Sequence, residues 1–245
     1  MQRSARSIQR VLVAPDSLKE TCHADVASVA IELGVLDCFP GVAVDCCPMA
    51  DGGEGTLDAL VSGLGLQVHV RRVSGPRADR PAVEARLGIA LDRRLAVVEL
   101  AEASGLQLIE PADRDPWKTG TGGTGAMLQT SLDLLEASAD QRPQVLLAVG
   151  GSGTVDGGIG ALSMLGVRFR ADGAWLTPPL VGADLLRIDA IECPSAIRDA
   201  WRDVDLRIAV DVTNPLLGTT GAARVFGPQK GADRAGVERL ESGLA

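Results

Sequence analysis

The sequence is poor in aromatic rings: its 245 residues include three Trp, three Phe and no Tyr, or 2% aromatic. Proteins that grip single-stranded nucleic acid stack bases on aromatic platforms along basic grooves. This chain has neither, since 24 Lys and Arg against 32 Asp and Glu give a formal charge of −8. No nucleic-acid partner is expected. Histidine is equally scarce, with His23 and His69 alone, and no His/Cys cluster has zinc-site spacing. Any metal should therefore be held by oxygen. The five cysteines (Cys22, Cys38, Cys46, Cys47 and Cys193) form no CxxC pair and are odd in number, the usage of reduced thiols in a cytoplasmic protein. No apolar run reaches 18 residues, so no membrane partner is expected, and residues 1–9 read as a disordered tail without a secretory apolar core.

Familiar nucleotide and hydrolase signatures are missing too. There is no GxxxxGK[ST] and no HRD/DFG pair, which excludes a P-loop enzyme and a protein kinase. Gly120, Gly122 and Gly125 satisfy GxGxxG but follow DRDPWKT instead of a buried strand, so the dinucleotide fingerprint lacks its context. Gly150-Gly151-Ser152-Gly153-Thr154 is one residue short of a GxSxG elbow, and no histidine follows it.

What the chain has in excess is glycine, 29 of 245 residues, against a usual ~7%. Apolar runs at 10–15 (RVLVAP) and 42–47 (VAVDCC) predict strands. Between them Val26, Val29, Ala30, Leu33 and Leu36 fall at helical spacing, with Thr21 as an N-cap and Phe39-Pro40 as a stop. This is a βαβ unit, hence a parallel sheet. After Gly65 the short, partly alternating runs QVHVRRVSG, AVEARLGIA and RRLAVVELA predict a mixed sheet. A helix over about 121–139, a strand QVLLAVGG, a short helix at 157–165 and a buried strand at 206–212 follow. The fold class is α/β.

Four apolar strands run directly into Gly, Ser and Asp: VLVAPDSLK (11–19), CPMADGGEGT (47–56), LLAVGGSGTVDGG (146–158) and IAVDVTNPLLG (208–218). In any one of them, Gly and Asp are the ordinary residues of a turn. Four together point to a crevice beyond the carboxyl ends of parallel strands, where open α/β sheets bind ligands. Glycine amides there can nest around phosphate oxygens, and Lys19 and Lys230 supply cations. The carboxylates Asp16, Asp51, Glu54, Asp156 and Asp211 repel phosphate unless Mg²⁺ lies between, or else they take a proton from a hydroxyl.

The strings APDSLK (14–19), PMADGGEGT (48–56), GGSGTVDGGIGAL (150–162), DVTNPLLG (211–218) and FGPQKGA (226–232), in that order, resemble the bacterial class I glycerate kinases. The resemblance covers about residues 9–242. It implies ATP-dependent phosphorylation of D-glycerate, at the 2-hydroxyl to give 2-phosphoglycerate, with Mg²⁺. It also implies two α/β domains. One is flavodoxin-like with a parallel sheet and built from both chain ends, its N-terminal part here residues 10–64. The other is inserted, with a mixed sheet, residues 65–245.

By position, Asp16, Ser17 and Lys19 match the family's first loop, and Asp51, Gly52, Gly53 and Glu54 its acidic-glycine motif. Gly150, Gly151, Ser152, Thr154, Asp156, Gly157 and Gly158 match the third, and Asp211, Asn214, Gln229 and Lys230 the last two. The chemistry then assigns roles: Lys19 and Lys230 against phosphate or the substrate carboxylate, the Gly-Gly-Ser turn around phosphates, Asp51 or Asp156 on the attacking hydroxyl, and Glu54 with Asp211 on Mg²⁺. Two departures stand out. Leu18-Lys19-Glu20-Thr21 replaces the family's Phe-Lys-Gly-Ser, placing an acid beside the first cation, and family members run on well past residue 245. The second departure predicts exposed apolar surface near 11–14 and 42–46. It leaves three functional readings: an active kinase that continues past residue 245 or whose missing segment is restored by a complementing C-terminal chain, an inactive truncated remnant, or a non-enzymatic binder of small phosphorylated acids. The partners expected are D-glycerate and either a homo-oligomer or that complementing chain.

Overall fold

Arg10-Val-Leu-Val13 extends as β1 (Arg10–Val13) in a computed structural model that describes residues 8–18, 21–135 and 142–245. Lys19, most of the N-terminal tail and the end of the helix expected at 121–139 lie outside the described residues. The chain then forms α1 (Ala24–Cys38) and β2 (Ala43–Cys46). β1 and β2 pair in parallel from Arg10 opposite Ala43 to Val13 opposite Cys46, and Arg10 forms an ion pair with Asp45. The βαβ reading holds, although the helix starts later than Thr21: His23 is at the cap position, with no side-chain cap bond.

The chain continues through α2 (Thr56–Leu64), β3 (Gln67–Val73), β4 (Val83–Ala90), β5 (Leu95–Glu99), α3 (Leu100–Ser104), α4 (Gly122–Leu135) and β6 (Gln144–Ala148). Then come α5 (Ile159–Met164), β7 (Arg168–Ala171), β8 (Ala174–Trp175), β9 (Ile188–Glu192), α6 (Ser195–Arg202), β10 (Asp205–Ala209), α7 (Ala222–Phe226) and α8 (Arg234–Leu244). A five-stranded sheet runs in the order β10-β6-β5-β4-β3. Its β3–β4 and β4–β5 pairs are antiparallel, while β5–β6 and β6–β10 are parallel. A small antiparallel sheet, β8-β7-β9, stands beside it. The architecture is therefore α/β with the parallel and mixed sheets expected, and the small antiparallel sheet is additional to them.

The period of two along a strand divides the core. Ala96 and Val98 of β5 and Ala85, Leu87 and Ile89 of β4 meet Met127, Leu128, Leu132 and Leu135 of α4 on one face. Val97, turned the other way, meets Leu57 of α2 and Leu66. Leu57 is fully buried, a contribution of about 1.5–3 kcal/mol. The helix α2 thus covers the large sheet, on the far side of the division expected at residue 64. Arg86 of β4 fixes it there, bonding Asp58 of α2 at 2.8 Å and Glu102 of α3 at 2.6 Å.

The first unit is thinly covered. Val13 and Val42 are buried, but Leu12 is 66% exposed. On α1, Val26, Val29, Leu33 and Leu36 form an exposed apolar stripe at helical spacing, while Ala24, Ala27 and Ser28 face inward. Among the described residues no helix is long and apolar enough to cross a membrane.

Candidate active site

The loops beyond the carboxyl ends of β1, β2, β6 and β10 come together, at the place where the sequence points to a crevice. Val149, just past β6, donates its N–H to Ala209 O of β10, and Gly150 N–H donates to Gly52 O at 2.9 Å. Approach is so close that a methyl on Gly150 would stand 2.4 Å from Gly53 Cα, and one on Gly52 would stand 3.0 Å from Ala209 O. Gly52 also has φ +91°, a conformation that side chains resist. Two of the glycine-rich loops therefore touch backbone to backbone. The loop after β1 joins them through Met49 N–H to Pro15 O, 2.9 Å.

The Gly150-Gly151-Ser152 turn is tied down on its outer side. Gly151 O accepts from Leu106 N–H and Gly153 N–H donates to Ser104 O, which leaves the amides of Gly151 and Ser152 without a protein acceptor among the described residues. Such a pair is the raw material of an anion nest. Behind it, Lys230 Nζ donates to Thr154 O at 2.7 Å and to Ser152 Oγ at 3.3 Å. Lys230 is buried and forms no ion pair among the described residues. Burial pushes its ammonium down to about 8, opposed by the charge of Asp156. A buried cation held only by neutral oxygens is poised for an anion.

The acidic residues separate into two kinds. Asp51 is exposed, with Oδ1 accepting from Gly53 N–H at 2.9 Å. Glu54 and Asp211 are exposed, with no side-chain hydrogen bond or ion pair among the described residues; Asp211 lies two residues beyond Ala209. Asp156 is different: Oδ2 accepts from Thr121 N–H and Thr121 Oγ1, both at 2.7 Å, and from Gly160 N–H, while Oδ1 accepts from Gly158 N–H. At 2% exposure its carboxylate splices the start of α5 to the segment before α4. Gly157 and Gly158 serve that turn with φ +58° and +79°, Gly157 facing Leu244 of α8.

Asp16 bonds the N–H of Ser17 at 2.6 Å, in the loop after β1. Asn214 Nδ2 bonds Thr220 O within its own loop, and Gln229 is exposed, its carbonyl accepting from Arg114 Nη1. Among the described residues no direct bond draws these three into the Gly52–Gly150–Lys230 constellation. Conversely, Glu99, Arg114 and Thr121 were missed by sequence reasoning. Arg114 Nε is buried with no hydrogen-bond partner among the described residues, and its backbone packs against the turn that carries Lys230 and Gly231. The available signal was slight, an isolated acid closing the apolar run VVE in the case of Glu99.

No three His, Cys, Asp or Glu side chains gather as a metal cage among the described residues.

The model of the glycerate kinase family matches residues 11–245. The chain belongs to the glycerate kinase family. It is 41% identical over 236 residues to a glycerate kinase of Halalkalibacterium halodurans and 38% identical over 237 residues to a glycerate 2-kinase of Escherichia coli, covering 96% of itself and 59% of each relative. A crystal structure from Salmonella typhimurium LT2, assigned as a glycerate kinase 2, superposes with TM-score 0.79 at 37% identity, covering 96% of this chain and 60% of that one. This family member thus spans about three fifths of the length of the relatives it matches, and the crevice lies within that share.

Proposed function

We propose that the crevice transfers the γ-phosphoryl group of ATP to the 2-hydroxyl of D-glycerate, giving 2-phosphoglycerate and ADP. The observation that supports this reading is Lys230, a buried ammonium with no carboxylate partner among the described residues, bonded to the same Ser152 whose amide, like that of Gly151, has no acceptor among them and can receive phosphate oxygens. Phosphoryl transfer asks mainly for positioning and charge stabilisation. Lys230 and the Gly151–Ser152 amides hold oxyanion, and Lys19 and Arg114 add positive charge. Asp51, exposed at the mouth, accepts the proton of the attacking hydroxyl as the new O–P bond forms and the bond to the ADP oxygen breaks. Asp156, its oxygens engaged by four donors, is a positioning residue for the Ser152–Gly160 segment. Glu54 and Asp211 would hold Mg²⁺, which when bound offsets the charge of the phosphates.

The test is a coupled ADP-release assay on the 245-residue chain with ATP, Mg²⁺ and D-glycerate, the product resolved by phosphorus NMR. Asp51→Asn is expected to lower kcat by about 10²- to 10⁴-fold, the range of general acid–base catalysis, with Asp156→Asn acting first on thermal stability. Absence of turnover together with a glycerate-dependent rise in melting temperature would favour the binder instead.

A further inference from the structure

At the end of β5, beside the crevice, stands a carboxylate that the proposed chemistry does not use. Glu99 is 3% exposed and forms no ion pair among the described residues. Burial pushes its carboxyl up, with two backbone N–H bonds opposing, and Glu102 and Asp58 are the acids nearest it in effect. Burying a carboxylate without a cation is costly, so its partners are informative. Glu99 Oε1 accepts from Gly55 N–H and Oε2 from Leu57 N–H, each at 3.0 Å.

Those two amides open α2, whose own cap residue, Gly55 at φ +90°, has no side chain to offer. Glu99 therefore supplies from a neighbouring strand the capping anion that the helix start lacks, where the helix dipole favours negative charge. The segment it caps is the acidic-glycine loop. Thr56 Oγ1 donates back to Gly53 O at 2.7 Å, Gly53 N–H donates to Asp51 Oδ1, and Gly52 O accepts from Gly150 N–H. Glu99 and Ala148 are in register across β5 and β6. Adjacent strand ends thus clamp the loop at two points, Gly150 at Gly52 and Glu99 at Gly55 and Leu57, with Asp51 just ahead of both.

We propose that Glu99 is a positioning residue for phosphoryl transfer: it pins the 51–57 segment to the central sheet and so sets where the Asp51 carboxylate stands over the crevice. This rests on the kinase reading for its consequence but not for its geometry. Glutamine at 99 keeps the shape, accepts through one oxygen and turns an NH₂ toward the second amide. Alanine removes both acceptors.

The experiment compares the wild-type 245-residue chain with Glu99→Gln and Glu99→Ala by two readouts, steady-state kinetics with ATP and D-glycerate, and amide hydrogen exchange of the 51–57 segment without ligand. For Glu99→Gln we expect exchange in that segment to accelerate at least tenfold while the β4–β6 core exchanges as before. kcat is expected to fall at least tenfold with KM changed less than threefold. Glu99→Ala should be more severe in both, and Glu99→Gln decides the matter if the alanine variant does not fold. Unchanged exchange overturns the clamp. Accelerated exchange with wild-type kcat overturns the positioning role. A wild-type chain that does not phosphorylate glycerate defeats the kinase reading and with it the catalytic consequence, while the exchange arm still decides whether Glu99 holds the loop.

Discussion

Lys230 shows how one residue carries both a stability signature and a functional one. Its folded-state value of about 8 lies below the ordinary 10.5, so between these values the unfolded chain binds more protons than the folded one, and stability rises with pH across that window. From pH 8 to pH 10 the difference in unfolding free energy between the wild type and Lys230→Met should grow by about 2 kcal/mol in favour of the wild type, measured by urea denaturation. Parallel curves for the two proteins would mean that the ammonium is not desolvated. Bound oxyanion works the other way, because it favours the charged form. Asp156 teaches the complementary lesson. As a carboxylate in the strand-end loop at 146–158 it was a candidate for acting on a hydroxyl, but what a carboxylate can do depends on what already occupies its lone pairs. Thr121, the hydroxyl and amide that occupy Oδ2, lies 35 positions away, a separation at which sequence pattern carries no pairing information.

At the scale of elements, strands and their terminal loops were legible from β-branched runs ending in Gly and Asp and from helical spacing across residues 26–36, but the strand expected to be buried at 206–212 is β10 at the sheet edge, with Leu206 and Ile208 exposed, because an apolar run does not show whether both of its faces are covered. Pairing partners were less so. The periodicity of α2 shows an apolar face but not which sheet it covers, and Leu57 and Leu60 meet β4 and β5 instead of the neighbouring β1–β2 pair. The meeting of loops at Gly52, Gly53 and Gly150 likewise depends on backbone approach closer than any side chain permits. Gly150→Ala should therefore push the two loops apart, costing about 1–3 kcal/mol by overpacking and weakening nucleotide binding, read by denaturation and by titration with ATP. An alanine variant that binds and unfolds as the wild type does would show that the loops have slack.

For the whole molecule, the uneven coverage of its two parts is the main feature. The five-stranded sheet has helices over both faces, whereas the β1–β2 unit presents Leu12 and the α1 stripe of Val26, Val29, Leu33 and Leu36 to solvent. Large contiguous apolar patches are unusual on soluble proteins. Replacing Val29 and Leu33 with Lys should change unfolding free energy by no more than about 0.5 kcal/mol, the range for surface positions, and lower the binding of a hydrophobic dye. A loss well beyond that would mean that the stripe is packed. The sequence by itself determined the α/β class, the four strand-end loops and the family, because these follow from residue type at short spacing and from strings of motif length. The tertiary structure decided which loops touch, that Lys230 is buried among neutral oxygens, and that Glu99 and Asp156 are held by backbone amides. Those outcomes depend on strand order and on the donors that distant segments bring to each charge.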